Sequence, residues 1–239
     1  MLGLLATAGL TPALAQTPAT AKPLRHLEYS FTADYEGVSE YHFNGINGSN
    51  SGVGGVNSSE GGSGKMDIDV LSITPEGALQ VQITEWVQNE AHPGQAYTCT
   101  VFGNTAVLCP SVPAPSAAEW VLLSYLGRQF VDGAPWDAQH HWQRKSDTSE
   151  YSLVEDFTMD PSSDDKRALI RETKKMVLHN GGFSSQTEDV VIRYDRAMEV
   201  PVAISDQLQD NGTAGSGHSQ YAFNLVSDSF AKAAPASGP

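Results

Sequence analysis

Hydrophobic and polar residues alternate along most of this chain with the two-residue period of half-buried β-strands. In the first such stretch, Leu27, Tyr29 and Phe31 alternate with charged and hydroxyl residues. Successive side chains of a strand point to opposite faces, so the pattern predicts one buried face and one wet face. Further segments of this kind lie at 38–43, 66–73, 79–83, 97–109, 136–145, 151–159, 190–194, 198–204 and 221–225. We predict about nine or ten strands in all.

One segment, 167–179, fits two patterns. Leu169, Thr173 and Met176 belong to a helical stripe, whereas Ile170 and Leu178 share one face of a strand with Met176. The flanking segments are strands, which favours a strand here as well.

Turn residues separate the predicted strands. Thr74-Pro-Glu-Gly77 has proline at the second turn position and glycine at the fourth, which predicts a β-turn. The alternation changes phase near Leu71, which indicates a β-bulge, and Pro201 predicts an edge position or a second bulge.

The two cysteines of the chain lie on either side of a turn. Gly103-Asn104 tolerates positive φ and stands between Cys99 and Cys109, so folding the chain back there makes the thiols cross-strand neighbours. We therefore predict a disulfide between Cys99 and Cys109, and hence an oxidising compartment.

A single helix is predicted near 116–127. Ser116 and Glu119 form a capping box, an apolar run follows at 120–126, and Gly127 ends the helix. We predict a mainly β fold with this helix covering one face of the sheet. The preferred architecture is one curved antiparallel meander resembling a half-barrel, because a long sheet twists and must curl or close, and a sandwich is the second choice.

The remaining segments lack a strand pattern. Residues 1–15 are uncharged and end in Ala-Leu-Ala, like a secretory signal, and their alanine content favours bacterial export. A linker at 16–23 and a tail at 231–239 flank a single β-rich domain at 24–230. Within it, 44–64 is nearly all glycine, serine and asparagine, which predicts a flexible loop.

The net charge of the chain limits the kinds of partner that we expect it to bind. The 239 residues include 28 acidic and 14 basic side chains, for a net charge of -14. This balance repels phosphate backbones and anionic lipid surfaces, so we expect no nucleic-acid partner. The mature chain has no long apolar run, so we expect no stable membrane insertion. Together with the disulfide, the signal-like segment predicts a periplasmic or extracellular protein.

Histidines and carboxylates provide the candidate chemistry. His140 and His141 stand near Asp137, but adjacent side chains on a strand point to opposite faces, so these residues are only weak candidates for a metal site. His26 with Glu28 is interpreted as a solvated polar face, as is Asp67 with Asp69. No cofactor is expected.

The predicted function is that of a non-catalytic binding or carrier module. A curled sheet can enclose an apolar cavity, and its ligand would be a hydrophobic small molecule or lipid, or else the module binds an envelope protein. The candidate pocket residues are Tyr29, Phe31, Trp120, Phe157, Tyr221 and Phe223. Two alternatives remain: a hydrolase that uses His140 or His141 with Asp137, and a structural protein of the cell envelope or surface.

Overall fold

The computed structural model describes residues 22–44, 51–102, 107–110, 115–126, 140–164, 166–179, 184–212 and 215–230. The signal-like segment 1–15, most of the linker 16–23 and the tail 231–239 lie outside these residues.

The described residues form eleven β-strands and one α-helix. In chain order the elements are β1 Arg25–Asn44, β2 Ser51–Ile73, β3 Leu79–Val87, β4 Tyr97–Val101, β5 Val107–Leu108, α1 Ala117–Leu126, β6 His141–Asp147, β7 Tyr151–Met159, β8 Arg167–Leu178, β9 Ser184–Asp195, β10 Val200–Gly212 and β11 Gly215–Asp228.

All eleven strands belong to one antiparallel sheet that is not closed into a barrel. The sheet has the order β5-β4-β3-β2-β1-β11-β10-β9-β8-β7-β6. Strands that follow one another in the chain are therefore neighbours, except β5 and β6, which lie at the two opposite edges, and β1 pairs with β11 in the middle of the sheet. The predicted meander is confirmed, with one strand more than the upper end of the expected number.

The sheet curls around α1. The helix contacts β4 and β5 on one side and β10 and β11 on the other, although these two pairs are separated in the sheet by β3, β2 and β1. The predicted helix and its capping box are confirmed, because the Ser116 N–H donates to Glu119 Oε2 at 2.7 Å and the Glu119 N–H donates to Ser116 Oγ at 3.1 Å. Leu122 and Leu123 are fully buried against the sheet.

The prediction of a loop at 44–64 is wrong for 51–64, which belong to β2. The expected separate strand at 38–43 is likewise part of β1, and the two long strands pair without a break from Arg25↔Val70 to Asn44↔Ser51. Glycine suits the close approach of strands: a Cβ atom on Gly64 would clash with the Trp86 carbonyl oxygen of β3. Residues 51–64 are ordered by backbone pairing with β1, which their side-chain composition did not predict.

The disulfide and several local features agree with the sequence analysis. Cys99 and Cys109 are bonded, with their Cα atoms 4.3 Å apart, while the turn residues between β4 and β5 lie outside the described part. The Gly77 N–H donates to the Thr74 carbonyl at 2.9 Å. Register shifts follow Val70 and Pro201, so both bulges are confirmed, and Pro201 is not on an edge strand. The segment 167–178 is a strand.

Candidate functional site

An apolar pocket of about 350 Å³ opens at one end of the curled sheet. Its walls come from the start of β1, the β2–β3 turn, the end of β4, the end of α1 and the β9–β10 turn. The walls from β4 and from the β9–β10 turn lie far apart in the strand order, and the curvature of the sheet brings them together.

The floor of the pocket consists of buried aliphatic side chains. Each floor residue is at most 4% exposed: Leu27, Val70, Val101, Leu126 and Val200. Strand alternation explains the floor, since these strand positions continue the buried face, and Leu126 ends the helix that covers it.

The rim of the pocket consists of exposed apolar side chains. Each rim residue is between 36% and 63% exposed: Leu24, Ile73, Phe102 and Phe230. Scattered exposed hydrophobic residues are ordinary, but several around the mouth of one apolar cavity are typical of an interaction site.

The β9–β10 turn fixes one wall of the pocket. In the β9–β10 turn, the Asp195 carboxylate accepts hydrogen bonds from the Ala197 and Met198 N–H groups at 2.9 Å each. Glu199 then takes a left-handed conformation with φ 55° before β10 begins. Side-chain hydrogen bonding to the turn backbone thus holds Met198 and Glu199 along one wall.

An ion pair joins the start of β1 to the end of β11 beside the pocket. Arg25 donates from Nε to Asp228 Oδ1 at 3.1 Å and from its terminal nitrogen to Asp228 Oδ2 at 2.5 Å. The Phe230 N–H donates to Asp228 Oδ1, and the Phe230 ring lies 5.3 Å from the Arg25 guanidinium carbon. This bidentate pair therefore fixes one side of the rim.

The pocket has the size and polarity of a small-molecule site. Its volume lies near the lower end of the range of about 300–1,000 Å³ that is usual for ligand pockets. At about 30 Å³ per atom-sized volume, it has room for on the order of ten non-hydrogen atoms. A short alkyl chain or compact hydrophobe matches this space.

The six aromatic residues predicted to line a pocket all lie outside the lining of this one. Tyr29, Phe31 and Phe223 are in the core, where the Tyr29 hydroxyl donates to the Pro201 carbonyl at 2.8 Å and burial raises the Tyr29 pKa far above its ordinary value. Trp120 is exposed on α1.

Two predicted aromatic residues line other cavities. Phe157 lines a cavity of mixed polarity beside α1, and Tyr221 lines a groove that also contains Tyr35. The apolar rim was missed because its residues lie at or just beyond strand ends, where alternation is a weak signal. An apolar residue beside a turn, such as Ile73 or Phe102, was the available clue.

The histidine pair does not form the arrangement considered from the sequence. His141 Nε2 lies 2.8 Å from Asp156 Oδ1 on the exposed side of β6 and β7, while Asp137 lies outside the described residues. The neighbouring Trp142 points to the opposite, buried face and stacks on Phe157 with ring centroids 5.2 Å apart. His141 and Asp156 therefore form an exposed contact between two strands, and such surface pairs contribute little to stability.

A second polar group lies on the outer face of β1 and β2. His26, Glu28 and Asp67 bring potential ligand atoms within 4.8 Å of one another. Lys65 Nζ lies 3.5 Å from Asp67 and 3.8 Å from Glu28, and His26 Nδ1 lies 2.7 Å from Asp69. The lysine ammonium already compensates these carboxylates, so the cluster works as a mixed-charge surface.

Comparisons with known proteins identify no family for this chain. No family model matches it, and no curated protein matches it. Among solved structures, one described as showing lipid–protein interactions in lipovitellin is similar, with a TM-score of 0.47 and 10% sequence identity. The similarity covers 91% of this chain and 26% of the lipovitellin chain, so this chain spans about a quarter of that protein. Within the described residues, no helix has the length and hydrophobicity to span a membrane.

Proposed function

We propose that the protein is an exported, non-catalytic carrier whose ligand is a small hydrophobe or a single short acyl chain. The observation that supports this function is the apolar pocket, in which a buried aliphatic floor is surrounded by exposed hydrophobic side chains. A ligand in the pocket would remove apolar surface of both partners from water, which is the main driving force of such binding.

The chemistry of the rest of the molecule supports export. A disulfide persists in an oxidising compartment, and the bond between Cys99 and Cys109 fits a periplasmic or extracellular location. N-terminal sequencing of the protein purified from its host tests export separately, and we expect the mature chain to begin at or near Gln16. A mature chain that retains Met1 would overturn the proposed export and leave the pocket unaffected.

Chain-length dependence of binding tests the carrier function. Carboxylates with four to twelve carbons would be titrated into the protein and followed by native mass spectrometry and by displacement of an apolar fluorescent probe. Each added methylene contributes about 0.8 kcal/mol, so affinity should rise about fourfold per carbon until the pocket is full and then level off. No saturable binding at any length would overturn the function.

A charged substitution at the rim tests whether the pocket is the binding site. Ile73→Glu places a carboxylate at the mouth, and Val226→Glu places the same charge on β11 outside the pocket lining. Val226→Glu is a matched control for Ile73→Glu, because the two original residues are 59% and 58% exposed. We expect Ile73→Glu to weaken binding at least tenfold and Val226→Glu to leave it unchanged. Equal effects in both variants would contradict the assignment of the pocket.

A further inference from the structure

A groove of about 490 Å³ lies on the inner face of the sheet, beside Ala117 at the start of α1. Strands β1, β10 and β11 form it at the end of the helix opposite to the apolar pocket, whose floor includes Leu126. The two cavities share no lining residue. The groove is therefore a separate candidate site, which the carrier function does not use.

The register of the three strands defines the floor of the groove. Gly217 on β11 pairs with Gly37 on β1 and with Asp210 on β10. Two residues further along β11, Ser219 pairs with Tyr35. Residues directly opposite one another share a face of the sheet, so Asp210 and Tyr35 lie on the two sides of a floor of small residues.

The ring of Tyr35 lies over this floor. A Cβ atom on Gly37 would clash with the Tyr35 side chain, and one on Gly217 would lie 3.2 Å from its ring. Glycine at both positions lets the ring rest on the backbone of two strands. Tyr35 is nevertheless 41% exposed, so part of its ring is available to a ligand in the groove.

Two hydroxyl groups that line the groove have no partner. Ser219 and Tyr221 follow the phase of the buried Phe223 on β11, and they are only 7% and 9% exposed. Neither side chain makes a hydrogen bond within the described residues, and neither hydroxyl oxygen is closed off from solvent. Because both residues line the groove, their hydroxyls are available there to donate and to accept hydrogen bonds.

Asp210 is the only charged residue among the described residues that line the groove. Its carboxylate makes no ion pair or hydrogen bond within the described part of the chain, and its Oδ1 atom is closed off from solvent. A carboxylate in this position costs the fold free energy, which a ligand that donates hydrogen bonds to the open oxygen, Oδ2, would offset. The negative charge also disfavours an anionic ligand.

We propose that the groove binds a neutral sugar unit of an oligosaccharide. The apolar C–H face of a pyranose ring packs on the Tyr35 ring, since the face of an aromatic ring carries negative charge. Sugar hydroxyls donate hydrogen bonds to the Asp210 carboxylate, and they both donate to and accept from the hydroxyls of Ser219 and Tyr221. The groove has room for one hexose and part of a second.

Titrations followed by saturation-transfer NMR test this site with four neutral trisaccharides: maltotriose, cellotriose, mannotriose and triacetylchitotriose. Sorbitol, which has hydroxyls but no ring, is one comparison ligand. Tetramethylammonium, which suits tyrosine rings and a carboxylate but has no hydroxyl, is the other. We expect at least one trisaccharide to bind saturably with a dissociation constant below about 10 mM, and neither comparison ligand to match it.

Variants of the groove locate the binding. Tyr35→Ala removes the ring and should lower the affinity at least about tenfold, whereas Tyr35→Phe keeps the ring and should stay within about twofold. Asp210→Ala should also lower the affinity at least about tenfold, and Asp34→Ala, at an exposed position of β1, should leave it unchanged. Ile73→Glu should leave sugar binding unchanged as well, so this site and the carrier function fail independently.

Amide chemical shifts of the unaltered protein decide the question even if a variant does not fold. The bound sugar should shift the amide resonances of Gly215 and Gly217 and leave that of Gly77, which lines the apolar pocket, in place. The proposal is overturned if no trisaccharide saturates, or if sorbitol or tetramethylammonium binds as tightly. It is also overturned if Asp210→Ala and Asp34→Ala bind alike, or if the Gly77 resonance shifts instead.

Discussion

Replacing Glu172 by glutamine should stabilise the folded protein at high pH and have little effect at low pH. Glu172 is 2% exposed, and burial raises its pKa from 4.5 to about 7 against the opposing effects of Lys174 and of the Tyr125 hydroxyl. Glutamine keeps the shape of the protonated carboxyl and the oxygen that accepts the hydrogen bond from Tyr125, and it removes the charge.

The sign of this pH-dependent change in stability follows from proton linkage. The folded protein retains the Glu172 proton up to about pH 7, whereas the unfolded chain releases it near pH 4.5. The associated stability is fully present below pH 4.5 and is lost as the pH rises to about 7. At 1.36 kcal/mol per pKa unit, the loss amounts to about 3 kcal/mol, which the glutamine variant does not suffer.

Urea unfolding at pH 5, 6, 7 and 8, followed by tryptophan fluorescence, measures this effect. The difference in unfolding free energy between Glu172→Gln and the original protein should be small at pH 5 and approach 3 kcal/mol at pH 8. The difference is the relevant quantity, because Asp206, another buried carboxyl, titrates in both proteins. Glu150→Gln, at an exposed site, should follow the original protein at every pH. If both proteins lose the same stability as the pH rises, folded Glu172 does not keep its proton up to about pH 7.

Three further predictions concern stability and share the urea assay. Gly64→Ala should destabilise the protein by about 1–3 kcal/mol because its Cβ meets a carbonyl oxygen of β3, whereas Gly62→Ala, with no atom within 4 Å, should be neutral. Equal effects would contradict the pairing of this part of β2. Replacing Cys99 and Cys109 by serine should lower the unfolding free energy by about 2–3 kcal/mol, and adding reductant should reproduce the loss in the original protein only. Ser116→Ala should lower the unfolding free energy by about 1 kcal/mol, because the capping hydrogen bond is lost. An unchanged unfolding free energy would exclude that role for Ser116.

The sequence predicted the fold where each strand has one clearly buried face. The hairpin of Met66–Val70 with Leu79–Ile83 shows this, because its alternation, turn and bulge are all local signals and all agree with the structure. The capping box is local in the same way. The strand at 167–178 was favoured only through its neighbours, since its own residues fit two periods.

The sequence did not predict contacts between distant residues or strand structure in a segment of small residues. The pairing of β2 residues 51–64 with β1 depends on backbone hydrogen bonds, which glycine and serine form as well as other residues. In β8, Glu172 and Lys174 continue the phase of the buried Ala168 and Ile170, so charges on the buried face were foreseeable. Their partners were not, because Tyr125 is 47 residues away in the chain.

The pairing of the first and last strands at the centre of the sheet has a consequence for biosynthesis. A nascent chain can form the meander from β1 to β5 early, but the other edge of β1 stays unpaired until residues 215–228 have been made. Arg25 and Asp228, which join this seam, are 203 residues apart, and contacts of such separation form slowly. Loss of the C-terminal strand would thus divide the sheet into two halves instead of trimming its margin.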